Sequence, residues 1–74
     1  MKNENLITAR KKRGFTQKQV AQKVGITEVS YQRYEYGTQK PSLEMAILLS
    51  RLLGKSVEDL WGNAPPVTQA TFSV

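Results

Sequence analysis

Cysteine and histidine are both missing from this 74-residue sequence. Their absence removes disulfide bonds, thiolate and imidazole metal ligands, the most common general base, and the nucleophiles built on cysteine or on a serine–histidine pair. Only six acidic side chains remain for chemistry, and no two of them form a convincing pair once they are placed on helices. We therefore expect no catalytic residues, no metal site and no cofactor, and we interpret the chain as a non-enzyme.

Long hydrophobic runs are missing as well. The longest apolar stretches are residues 45–49 and 52–53, whereas a helix that spans a bilayer needs roughly 18 apolar residues or more. The opening residues, Met-Lys-Asn-Glu-Asn, do not have the composition of a secretory leader. We therefore expect a cytoplasmic protein with no membrane contact.

Acidic residues are few in comparison with basic ones. Eleven Lys and Arg against six Asp and Glu give a formal net charge of +5. Residues 1–34 hold eight basic and two acidic side chains, whereas the rest of the chain holds three and four. This asymmetry predicts a positively charged side that faces a polyanion, although many basic proteins bind no nucleic acid.

Turn residues interrupt the sequence about every ten residues, and the apolar residues between them recur at helical spacing. The pattern predicts five helices: 5–13, 17–24, 28–36, 43–53, and a short one that begins after Ser56. In the fourth helix, the inward spacing is supplied by Leu43, Ala46, Ile47, Leu49, Ser50 and Leu53. So short a chain holds one modest core, and we expect an all-α, compact five-helix bundle over residues 1–61.

The helix starts carry capping residues. Thr16 and Gln19 have the spacing of a capping box, and Thr27, Ser42 and Ser56 are expected N-caps. Residues 62–74 contain two adjacent prolines, which bar a continuing helix. They form a C-terminal tail that we expect to be flexible or to contact a partner.

The two short helices 17–24 and 28–36 are joined by a tight turn containing Gly25. This is the arrangement in which the second helix enters the DNA major groove. Residues 16–37, followed by Lys40-Pro41-Ser42, resemble the phage-repressor family of Cro and cI proteins, also called the Xre family. The residues in register with that family are Gln17, Ala21, Gly25, Tyr31, Tyr34, Glu35, Gly37, Pro41 and Ser42. The resemblance extends over about residues 5–61 and implies a lambda-repressor-like bundle that binds double-stranded DNA.

The helix 28–36 presents one face to the core and another to the groove, as its helical period indicates. The side chains expected to read bases are Glu28, Val29, Gln32 and Arg33. Arg33 can donate two hydrogen bonds to guanine, and Gln32 can pair with adenine or contact a phosphate. Glu28 can accept from cytosine, and Val29 can pack on a thymine methyl group. The alternatives are a solvated Arg33 and a Glu28 that only stabilises the helix dipole.

A second set of residues is expected to contact DNA phosphates. The start of helix 17–24 offers free N–H groups to an anion, and the resemblance implies a phosphate contact for Gln17. The other candidates are Lys18, Thr27, Tyr36, Thr38 and Lys40. For Thr27, simple N-capping is an equally good interpretation.

Four further residues are assigned structural roles. Tyr31 and Tyr34 could stack on bases, as aromatic residues do in single-strand binders, but their inward face favours core packing. The resemblance implies a structural ion pair between Arg10 and Glu35, which would fix the recognition helix against the first helix.

The resulting hypothesis is a sequence-specific transcriptional regulator, a repressor that binds a palindromic operator as a homodimer through its third helix. We expect the dimer surface to involve the last helix, Trp61 and the tail. Two alternatives remain open. One is an antitoxin that regulates its own operon and binds a protein partner through the tail. The other is a protein-interaction adaptor that does not bind DNA.

Overall fold

The computed structural model describes residues 2–62, which form five helices with no strand among them. The helices are α1 (Glu4–Lys12), α2 (Gln17–Val24), α3 (Glu28–Tyr36), α4 (Leu43–Leu53) and α5 (Val57–Trp61). The predicted all-α, five-helix fold is confirmed. The expected tail lies outside the described residues apart from Gly62. Within residues 2–62, no helix is both long enough and apolar enough to cross a membrane.

The helices start where side chains accept hydrogen bonds from otherwise unpaired backbone N–H groups. The Thr16 side chain accepts from the Gln19 N–H, and the Gln19 side chain accepts from the Thr16 N–H, so the predicted capping box is present. Helix α1 begins one residue earlier than predicted, because the Asn3 side chain accepts from the Leu6 N–H at 3.0 Å.

The turn between α2 and α3 depends on a glycine. Gly25 ends α2 with a φ of 80°, a left-handed conformation that residues with a Cβ atom rarely adopt. Thr27 then caps α3 only two residues later. The short turn fixes α3 against α2, which is the packing on which a helix-turn-helix depends.

The core contains side chains from all five helices. Its centre includes Tyr31, which is fully buried and meets the Tyr34 ring edge-on at a centroid distance of 6.4 Å. The prediction that both tyrosines pack in the core is therefore confirmed. The other buried apolar residues are Leu6, Ala9, Val20, Ala21, Ala46, Leu49, Leu53, Leu60 and Trp61.

The prediction for α4 was wrong at two positions. Leu43 and Ile47 were expected to face the core, but they are 40% and 37% exposed, and the neighbouring Leu48 is 45% exposed. The buried stripe of α4 consists of Ala46, Leu49 and Leu53. Because successive residues are rotated by about 100° around a helix, Leu43 and Ile47 lie away from the centre of that stripe. The apolar spacing had been interpreted as one broader inward face.

Candidate nucleic-acid interface

The outer face of α3 presents side chains to solvent along its whole length. Glu28, Val29, Arg33 and Tyr36 are exposed there, and Val29 is 55% exposed despite its apolar side chain. The predicted base reader Gln32 is partly buried. Three of the four proposed base readers are therefore exposed to solvent, and the fourth, Gln32, is held by the protein.

The inner face of α3 carries a buried carboxylate. Glu35 is 1% exposed and forms an ion pair with Arg10 of α1, with 2.6 Å between Arg10 Nε and Glu35 Oε2. Tyr31 donates its hydroxyl to Oε2 at 2.6 Å, and Gln17 of α2 donates its side-chain amide to Oε1 at 2.9 Å. One carboxylate thus connects α1, α2 and α3.

The charge state of this network follows from its contacts. Burial by itself would raise the pKa of Glu35, but hydrogen bonds from Arg10, Tyr31 and Gln17 outweigh burial and lower that pKa below its ordinary value. The hydrogen bond to Glu35 also raises the pKa of Arg10, and burial raises the pKa of Tyr31. At neutral pH, Glu35 is a carboxylate, Arg10 a cation and Tyr31 a neutral donor.

Two successive side-chain hydrogen bonds connect the buried Glu35 carboxylate to the outer face of α3. Gln32 donates its side-chain amide to the Gln17 side-chain oxygen at 3.2 Å, and Gln17 donates in turn to Glu35. These bonds hold the first residue of α2 beside the middle of α3. Gln17 was expected to contact a phosphate, which stays a prediction; in the structure its side-chain amide is hydrogen-bonded to Glu35 and Gln32.

The phosphate-contact candidates lie at the ends of α2 and α3. Lys18, Tyr36 and Lys40 are exposed. The Thr27 hydroxyl accepts from the Ser30 N–H at 3.1 Å and donates to the Ser30 hydroxyl at 2.9 Å. The Thr38 hydroxyl donates to the Arg33 carbonyl at 3.4 Å, the long end of the range for a hydrogen bond. Thr27 therefore has a capping role whether or not DNA is bound.

The sequence model of the helix-turn-helix family matches residues 6–60. The chain belongs to the helix-turn-helix family. This match spans all of α2 and α3 with the turn between them, and it confirms the resemblance seen in the sequence.

Curated relatives of this helix-turn-helix chain come from bacteria, and one of them is named as a protein of a cryptic phage. The uncharacterized HTH-type transcriptional regulator YqaE of Bacillus subtilis is 38% identical over 60 residues, 81% of this chain and 52% of the relative. The cryptic phage CTXphi transcriptional repressor RstR of Vibrio cholerae is 36% identical over 60 residues, 81% of this chain and 54% of the relative. The chain thus spans about half the length of the curated relatives it matches. No solved structure matches it significantly.

Two members of the buried network in this helix-turn-helix domain escaped the sequence reasoning. Tyr31 was assigned to the core for its ring, although its hydroxyl also donates to Glu35. Its position one helical turn before Glu35 was the available signal, because residues four apart are neighbours on a helix. The Gln17–Glu35 hydrogen bond had no comparable signal, since the two residues are on different helices.

Proposed function

We propose that this helix-turn-helix protein is a transcriptional repressor that binds a palindromic DNA operator as a dimer, with α3 of each copy in the major groove. The observation that carries the proposal is the exposed outer face of α3, which is held rigidly from behind by the buried Glu35 network. A helix that reads bases must be fixed in position before it meets DNA. The relative RstR, named as a phage transcriptional repressor, supports repression over activation.

The four base-reading candidates have different chemistry. Arg33 is suited to guanine and Glu28 to cytosine N4, so the two can recognise a G·C pair from opposite strands or two separate pairs. Val29 offers an apolar contact to a thymine methyl group. Gln32, held by Gln17, presents its amide in a fixed orientation, as bidentate recognition of adenine requires.

The phosphate contacts would fix the register of α3 without reading sequence. Gln17 and Lys18 begin α2, where backbone N–H groups and the helix dipole favour an anion. Thr27 precedes α3, Tyr36 is its last residue, and Thr38 and Lys40 lie in the loop that follows. On this proposal, the residues at the start of α2 and those around the ends of α3 hold the DNA backbone on either side of the groove.

The test is selection of bound duplexes from a random pool, with the affinity for the selected sequence measured against salt concentration. We expect a palindrome whose half-sites are one helical turn of DNA apart, bound at least about a thousandfold more tightly than random DNA. Weak binding with no selected sequence would contradict the proposal and favour the adaptor alternative.

Two substitutions separate base reading from backbone binding. Arg33→Ala should cost about 1 to 3 kcal/mol at one base-pair position and relax specificity there. Lys40→Ala should weaken binding to all sequences alike. It should also reduce the slope of log K against log salt by about one for each copy, because one phosphate contact is lost. Lys55→Ala, at an exposed lysine after α4, is the control and should change neither. Equal losses on selected and random DNA for Arg33→Ala would contradict the assignment of Arg33.

A further inference from the structure

An apolar surface on α4 is left uncovered by the rest of the described chain. Leu43, Ile47 and Leu48 are its exposed members, and Met45 and Leu52 at its margins are only partly buried. Among residues 2–62, the other large exposed apolar side chains are Val29 and Tyr36, which belong to the proposed DNA-binding face. The surface of α4 therefore needs a separate explanation.

The charged residues on this surface are arranged symmetrically. Glu44 and Arg51 are both exposed, and at about 100° per residue they lie along the middle of the face opposite the buried stripe of α4. Ile47 and Leu48 lie between them, one on each side of the middle line. Counted from the midpoint of Ile47 and Leu48, Glu44 and Arg51 are equally distant, about one helical turn in each direction.

The apolar residues are centred on the same midpoint along the helix. Leu43 and Leu52 are equally distant from the same midpoint, just beyond Glu44 and Arg51. A two-fold axis level with the midpoint, perpendicular to the helix and to the line that joins the two copies, would place Ile47 against Ile47 of a second copy and Leu48 against its Leu48. The same axis would place Glu44 against the second copy's Arg51, because both lie near the middle line, whereas Leu43 and Leu52 stay at opposite margins of the face. Surfaces in a two-fold dimer must complement themselves in this way.

We propose that two copies of this chain pair through α4, with the two helices antiparallel and each Glu44 facing the Arg51 of the other copy. The proposal deepens the proposed function, because it names the surface that makes the DNA-binding dimer. A second copy is favoured over an unrelated partner because the opposite charges of Glu44 and Arg51 are arranged symmetrically about the exposed Ile47 and Leu48. An unrelated partner would require no such symmetry.

This surface differs from the one expected from the sequence. Leu60 and Trp61 of α5 are 1% and 7% exposed, and both pack in the core of their own chain. They therefore offer little apolar surface to a second copy. Helix α4 follows α3 after a loop of six residues, 37–42, so pairing through α4 would fix the distance between the two recognition helices.

The contact is small, since it involves one helix from each copy. Small interfaces give weak association, so we expect a dimer that dissociates on dilution and is stabilised by DNA that holds two half-sites. Sedimentation equilibrium of the full chain without DNA, over a range of protein concentrations, measures this association directly.

Charge reversal tests the pairing of Glu44 with Arg51. Glu44→Arg and Arg51→Glu each turn two attractive contacts into two repulsive ones, and each should weaken the dimer about tenfold. The double variant Glu44→Arg/Arg51→Glu restores both attractions and should dimerise like the wild type. A mixture of the two single variants should form heterodimers in preference to either homodimer, because all charges are then complementary.

Glu58→Arg is the matched control, since Glu58 is exposed and occupies the second position of α5 as Glu44 does in α4. It should leave dimerisation unchanged, and circular dichroism should show that every variant is folded. A wild type that stays monomeric, or a double variant that is no better than the single ones, would overturn the α4 pairing. If the wild type selects a palindrome but the charge reversals leave dimerisation unchanged, the α4 pairing alone is overturned. If the double variant dimerises like the wild type but no DNA sequence is selected, the proposed function alone is overturned.

Discussion

Glu35 is the residue on which the arrangement of the first three helices depends most. Its carboxylate accepts from Arg10, Gln17 and Tyr31, and its backbone carbonyl accepts from the Asn3 N–H at 2.7 Å. A buried charge is costly unless it is paired and hydrogen-bonded, and here every donor comes from a helix or cap that must be in place. The network thus favours one packing of the bundle over others.

Removal of this charge should destabilise the protein. Glu35→Gln should lower the free energy of unfolding by about 3 kcal/mol at pH 7, because Arg10 would be left partly buried without its counter-ion. Urea denaturation followed by circular dichroism measures the loss. Glu58→Gln, at an exposed carboxylate, is the control and should cost under about 1 kcal/mol. A loss below about 1 kcal/mol for Glu35→Gln would show that the ion pair contributes little.

The same carboxylate predicts a dependence on pH. Because the folded state lowers the pKa of Glu35 below its ordinary 4.5, its stabilising effect is fully present above about pH 4.5 and is lost as pH falls through the folded pKa. The difference in unfolding free energy between wild type and Glu35→Gln should therefore be constant from pH 7 to about pH 5 and shrink below that. A difference that grows on acidification would contradict the assigned direction of the shift.

Gln17 should affect recognition through Gln32. Gln17→Ala removes the hydrogen bond that orients Gln32, so discrimination should fall at the base pair that Gln32 is proposed to read, beyond any uniform loss from a phosphate contact. Affinities for a series of operators, each with one base pair changed, separate the two effects. Lys18→Ala, at the next residue, is the control and should weaken all operators alike. Unchanged discrimination in Gln17→Ala would show that Gln17 does not act on base recognition through Gln32.

At the scale of elements, capping residues define the helices more clearly than apolar residues do. The N-caps at Thr16, Thr27, Ser42 and Ser56 were all predicted, because the requirement is local: a side-chain oxygen three residues before an N–H. The inward face of α4 was predicted less well, since Leu43 and Ile47 have the same chemistry as core residues. Only packing with the other helices decides which leucines are covered.

The same distinction limits prediction of the site. The exposed outer face of α3 follows from its helical period together with the family resemblance. The hydrogen bonds of Gln17 to Glu35 and Gln32 join residues that are distant in sequence, and neither composition nor spacing encodes them. The sequence therefore predicts which face of α3 is available, and the structure shows what holds it.

Thr27 allows capping and phosphate binding to be separated at the start of α3. Thr27→Ala should lower the free energy of unfolding by about 1 kcal/mol through loss of the cap. Thr27→Asp keeps a good cap and should leave stability nearly unchanged. If Thr27 lies beside a phosphate, the added negative charge should weaken binding to all DNA sequences. Wild-type affinity in Thr27→Asp would leave capping as its only role.

At the scale of the whole molecule, the charge is divided along the chain. The basic excess lies in residues 1–34, which include α1, α2 and most of α3, whereas α4 and α5 follow in the part with a slight acidic excess. A protein with one basic side approaches DNA in a preferred orientation, because the field of the polyanion acts on that side first. The proposed dimer surface on α4 belongs to the less basic part.

The salt dependence of operator binding should reflect this division. If Lys18 and Lys40 of both copies neutralise phosphates, the slope of log K against log salt should be about −4. Titrations at several salt concentrations, with Lys18→Ala and Lys40→Ala alongside, measure it. A much steeper slope would show that further basic side chains contact phosphates, and a slope near zero would contradict phosphate binding by Lys18 and Lys40.

Helix α3 has an inner face that maintains the fold and an outer face that is exposed. Glu28, Val29 and Arg33 lie on the outer face, and none of them belongs to the core or to the Glu35 network. Substitutions at these three positions can accumulate during evolution at little cost in folding. Descendants of one ancestral helix-turn-helix regulator could thus come to recognise different DNA sites within a few mutational steps, and each could act in the same cell without binding the sites of the others.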